Sequence, residues 1–111
     1  MNIQTEVFGD VLVVHTPEEF SEETVDSVRQ SIEGMGYCRV VADLDDTESI
    51  DSQGLTMLLN LHELLQTRGG DLKIATANTV NRKILEITRV DRELEVFSGL
   101  VEAVKSFRPG L

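Results

Sequence analysis

The chain has 111 residues, ten Lys and Arg against twenty Asp and Glu, and a formal net charge of −10. That length suits one ordinary domain with its own core, and the charge repels nucleic-acid phosphates and anionic lipid alike. A single cysteine, Cys38, rules out an internal disulfide, and no apolar run approaches the roughly 20 residues a membrane span needs.

In chain order, Ile3, Thr5 and Val7 alternate with polar neighbours and predict a half-buried strand. Gly9-Asp10 then offers a tight turn into Val11-Leu12-Val13-Val14, a strand apolar on both faces. Pro17 to Phe20 reads as a polar loop. Ser21 reads as the N-cap of a first helix, with Glu22 and Glu23 at the positive end of its dipole. Val25, Val28, Ile32 and Met35 form that helix's apolar stripe, and Gly34 and Gly36 end it. Arg39 to Leu44 predicts a central strand, and Asp45 to Ser49 a polar loop.

From Gly54 the pattern is helical: Leu55, Leu58, Leu59, Leu61, Leu64 and Leu65 give a broad apolar face, and Arg68-Gly69-Gly70 stops the helix. Leu72, Ile74 and Ala75 make the next strand. Thr79 caps a helix carrying Val80, Ile84, Leu85 and Ile87. A short strand over Leu94, Val96 and Phe97 follows. Ser98 then caps a last helix with Leu100, Val101, Val104 and Phe107. This alternation implies an α/β fold with a small mixed, mostly parallel sheet, about four helices and four or five strands. Residues 1–111 read as a single domain. The first six residues lack the basic and apolar regions of a signal peptide, so the expected location is cytoplasmic.

The segment Val40-Val41-Ala42-Asp43-Leu44, with Ile50-Asp51-Ser52-Gln53-Gly54-Leu55 after it, resembles the signature of STAS domains. That family spans bacterial anti-anti-sigma factors and the cytoplasmic tails of sulfate transporters. The resemblance covers the order of elements along nearly the whole chain and implies the STAS, or anti-sigma factor antagonist-like, fold. In the anti-anti-sigma branch the serine after the aspartate accepts a phosphate, which maps that role onto Ser52. Asp51 and Gly54 match the pattern. Gln53 replaces a second small hydroxyl residue, and Ser21 occupies the place of an Asp-containing partner loop. The resemblance implies an anti-sigma factor or related Ser/Thr kinase as partner, met by Asp51, Gln53, Gly54, Thr56 and Ser21.

The residues themselves place Ser52 at the start of the leucine-rich helix, where its hydroxyl can cap a free backbone N–H. A phosphate there would face the positive end of the helix dipole beside Asp51. The acids Asp43, Asp45, Asp46, Glu48 and Asp51 raise a rival, a Mg²⁺ site, but they follow one another along one segment and read as a solvated loop. His15 and His62 fit no Ser–His–Asp or Cys–His spacing. Arg82, Lys83, Arg89 and Arg92 read as a solvated basic face. No catalytic residue, metal or cofactor is therefore expected. The alternative to a phosphorylated switch is a non-phosphorylated scaffolding STAS domain, stressosome-like or transporter-associated.

Overall fold

A computed structural model describes residues 2–107. The elements are β1 (Thr5–Phe8), β2 (Val11–His15), β3 (Glu19–Phe20), α1 (Val25–Glu33), β4 (Arg39–Asp43) and β5 (Ser49–Ile50). After them come α2 (Ser52–Thr67), β6 (Asp71–Ala75), α3 (Thr79–Ile87), α4 (Val90–Glu93), β7 (Val96–Phe97) and α5 (Leu100–Lys105). The main sheet runs β1-β2-β4-β6-β7, antiparallel between β1 and β2 and parallel thereafter. Mixed, mostly parallel order was the expectation, and it holds. Gly9, at φ 63°, turns β1 into β2, a conformation that costs glycine little.

Because β2, β4, β6 and β7 lie side by side in chain order, crossovers of one hand place α1 to α4 on the same face. Leu12 and Val14, Val40 and Ala42, and Leu72 and Ile74 point into that layer. They meet Val28 and Ile32 of α1, Leu58, Leu61 and Leu65 of α2, Leu85 of α3 and Val90 of α4. The alternate residues Val11, Val13, Val41 and Ala75 point the other way, onto Ala103 of α5 and Phe107. Period-two alternation within apolar strands thus feeds two layers, and each fully buried Val, Leu or Ile contributes about 1.5–3 kcal/mol.

Several sequence expectations are corrected. Five helices stand among the described residues, since α4 follows α3 through Arg89 at φ 64°. The segment read as a polar loop over Pro17 to Phe20 contains the two-residue β3, the one over Asp45 to Ser49 runs into the two-residue β5, and β3 pairs with β5 in parallel. Ser21 does not cap α1: its carbonyl accepts the N–H groups of Thr24 and Val25, a turn that delays the helix to Val25. Met35 lies beyond α1 and is exposed. At α3 the cap is Asn78, whose Oδ1 accepts from Val80 and Asn81 ahead of it, whereas Thr79 is already inside the helix. Ser98 precedes Gly99, which occupies the N-cap position of α5 without a side-chain bond.

Candidate functional site

Strands β2 and β4 end side by side, and the loops leaving their carboxyl ends run together toward α2. In open parallel sheets this is the edge where ligands and partners are met. Several bonds strap the two loops. Glu48 and Ser49 donate their N–H groups to the Glu18 carbonyl, and Asp51 donates its own to Phe20. Thr47, fully buried, donates its hydroxyl to the Pro17 carbonyl at 2.7 Å. Below them the buried Asn81 amide donates to the carbonyls of Leu44 (3.1 Å) and Thr47 (2.8 Å). Nothing in the spacing of Thr47 and Asn81 marks them; only the fold brings them under this loop.

Asp51 organises the start of α2. It is the N-cap, with Oδ1 accepting the N–H of Gly54 at 3.0 Å. Oδ2 reaches across to accept the N–H of Glu22 at 3.0 Å. These two backbone donors, Gly54 first and Glu22 second, hold its carboxyl below the usual value, because they stabilise the ionised form. The capping role expected of Ser52 therefore belongs to Asp51. A carboxylate takes two donors at once, and its backbone sits in the extended conformation of an N-cap.

Ser52 is the first residue of α2 and is exposed. Gln53 and Thr56 are exposed on the same first turns. Gly54 is buried, and a Cβ there would lie 2.6 Å from the Phe20 carbonyl oxygen. It is therefore glycine for close approach to β3. Ser21 is half-buried in the turn next to Glu22, so the Asp51–Glu22 bond brings Ser21 into the group it was expected to join.

The acidic residues do not converge. Asp43 faces His15, Asp45 accepts the N–H of Ala77 at 2.7 Å, and Asp51 caps α2. Among the described residues no group of three His, Cys, Asp or Glu side chains is gathered to hold a metal ion. His62 lies 3.1 Å from Asp71, joining α2 to β6 away from Ser52. No helix of the described residues is long and apolar enough to cross a membrane.

Fold and site together define an α/β domain with a mostly parallel sheet and, at its strand ends, an exposed serine opening an aspartate-capped helix. The STAS domain profile matches residues 2–103, and the chain belongs to that family. It is 29% identical over 73 residues to a Thermotoga maritima protein provisionally named an anti-sigma factor antagonist, covering 66% of this chain and 65% of that one. The match thus spans just under two thirds of that relative. The anti-sigma F factor antagonist of Paenibacillus polymyxa is 24% identical over 110 residues, covering 94% of each chain. Among solved structures, the anti-sigma factor antagonist SpoIIAA in its unphosphorylated form superposes with a TM-score of 0.81 at 16% identity, covering 99% of both chains. Its phosphorylated form, from Bacillus, superposes at 0.73 and 17% identity, covering 96% of this chain and 100% of that one. At such identities these two structures carry the fold alone.

Proposed function

We propose that residues 1–111 act as a single STAS domain that antagonises an anti-sigma factor of the Ser/Thr kinase type. In this reading the unmodified chain binds that partner in the cytoplasm, and transfer of a phosphate to Ser52 releases it. The chain is a binding module and supplies no catalytic group. The observation that carries the reading is that Asp51, not Ser52, caps α2, which leaves an exposed hydroxyl with no part in holding the helix start. Such a serine can be modified without cost to the fold. Support also comes from relatives named as antagonists of anti-sigma factors.

A phosphate on Ser52 adds about −1.5 to −2 of charge beside Asp51. A partner packed over Gln53, Thr56 and the Ser21 turn would have to desolvate it, so modification blocks the face. Intact mass after incubation with ATP and the cognate kinase-type anti-sigma factor tests this. The expected result is one phosphate on the wild type and none on Ser52→Ala, with binding of the partner lost only on modification. Binding without phosphate transfer would replace the switch with the scaffolding role.

A further inference from the structure

His15, the last residue of β2, stands between two carboxylates. Its Nε2 lies 2.9 Å from Glu6 Oε1 of β1, and its Nδ1 lies 2.9 Å from Asp43 Oδ2 of β4. Glu18 and Asp46 line the same recess from the adjoining loops, and no Lys or Arg among the described residues lines it. An ionised carboxylate only accepts, so each contact is a hydrogen bond only when the facing ring nitrogen carries a proton. The imidazolium carries two ring protons and satisfies both carboxylates; the neutral ring carries one and satisfies a single partner.

The two partners differ. The Asp43 side chain is 11% exposed and that of Glu6 is 51% exposed. Asp43 Oδ1 is also bound by the N–H of Asp45 at 3.0 Å, which fixes that carboxylate in place. Losing the bond to Asp43 would strand a buried charge, whereas water can solvate Glu6. The neutral ring therefore keeps its proton on Nδ1 for Asp43 and releases Glu6. β1 is the edge of the sheet, held by β2 alone, so Glu6 is a tie it can ill spare.

We propose that His15 is a proton-operated clasp on the edge strand: closed across β1, β2 and β4 as the imidazolium, open at Glu6 when neutral. The clasp tightens β1 on the acid side of the imidazole titration and loosens it on the alkaline side. Because Asp43 is retained in both states, the loop leading to Asp51 and Ser52 does not respond. The proposal is independent of any role for Ser52.

The test is NMR of the full chain at two pH values, a lower one at which the ring ¹⁵N shifts show both nitrogens protonated and a higher one at which they show one. The ring should show two N–H groups at the lower pH and the Nδ1–H tautomer at the higher. Exchange protection of β1 and of the His15 amide, which donates to the Gln4 carbonyl, should fall about three- to tenfold at the higher pH, a partly solvated charge-assisted bond being lost. Protection of the Glu22 and Gly54 amides should hold. His15→Gln should remove the dependence, and Glu6→Gln, at a half-exposed position, provides the same control if that variant fails to fold. An Nε2–H neutral ring, equal β1 protection at both pH values, or the same fall in the variants overturns the clasp.

Discussion

The carboxylate of Asp51 binds the backbone of Glu22, 29 residues earlier, at the same distance at which it caps its own helix, 3.0 Å in each case. One side chain therefore sets both the start of α2 and the position of the turn before α1. Asp51→Ala removes both bonds and should lower the urea midpoint while broadening the Glu22 and Gly54 amide resonances. Asp51→Asn keeps an acceptor for one donor and should fall between the two. An unchanged Glu22 resonance in Asp51→Ala would refute the coupling.

The lowered titration of Asp51 gives this contribution a pH signature. Its carboxyl stays ionised in the fold at pH values where the unfolded chain, at an ordinary 3.8, has begun to take up its proton. The stabilisation is thus complete above that value and is lost as pH falls through the lowered one. The gap in stability between wild type and Asp51→Asn should be constant near neutrality and close in acid. Urea titrations at a series of pH values read this directly, and a gap that widens in acid would contradict it.

Two glycines are fixed by close approach. A Cβ on Gly54 would meet the Phe20 carbonyl at 2.6 Å, and one on Gly70 would meet the Cys38 carbonyl at 1.9 Å. Backbone atoms cannot swing aside as a side chain can. Gly54→Ala should cost about 1–3 kcal/mol, the usual range for overpacking. Gly70→Ala should cost more, because the backbone just before β6 and that just before β4 must separate further. Denaturant unfolding of the pair should rank them in that order.

Asn81 holds the loop before α2 from beneath. It is fully buried, and its amide serves two carbonyls. Asn81→Ala leaves the Thr47 carbonyl without its donor, while the Leu44 carbonyl keeps the Thr47 N–H, at a cost of about 1–3 kcal/mol. Asn81→Asp should be worse, since a carboxylate would face two acceptors. Thermal unfolding separates these outcomes, and equal stability of the two variants would count against the assigned bonds.

Lys73 is buried on the second face of the sheet. Its Nζ lies 4.3 Å from the centre of the Phe107 ring and 2.8 Å from Ser106 Oγ. The Ser106 hydroxyl also donates to Ala103, so it stays bonded without the lysine. Lys73→Met fills the same space and should stay within about 1.5 kcal/mol of wild type. Lys73→Ala empties it and should cost about 2–3 kcal/mol by loss of the packed stem. Equal losses in the two variants, both of which lack the charge, would show that charge and not volume holds α5 here.

Much of this architecture is legible in the residues. The apolar run Val11–Val14 and the leucines of α2 have only one sensible burial, and the segment from Ile50 to Leu55 resembles the STAS signature closely enough to name the family. What escapes is whatever depends on choices between neighbours. Asp51 and Ser52 are both good caps, and so are Asn78 and Thr79; which one serves is decided by where the helix axis falls. β3 and β5 are two residues each, too short for any period to show. His15 finds Glu6 and Asp43 only because three strands of the sheet lie in register.

The short pairing of β3 with β5 also bears on recognition. Left to themselves, the two loops around Ser52 would sample many shapes, and any partner would have to freeze them on contact. Here Glu19–Phe20 and Ser49–Ile50 are already laced together, with Asp51 bonded across to Glu22. Most of the ordering entropy, on the order of 1–2 kcal/mol for each fixed backbone residue, is met when the chain folds and not when it associates. The surface around Ser52 is thus shaped before anything touches it, and the partner binding proposed above would proceed by near-rigid docking.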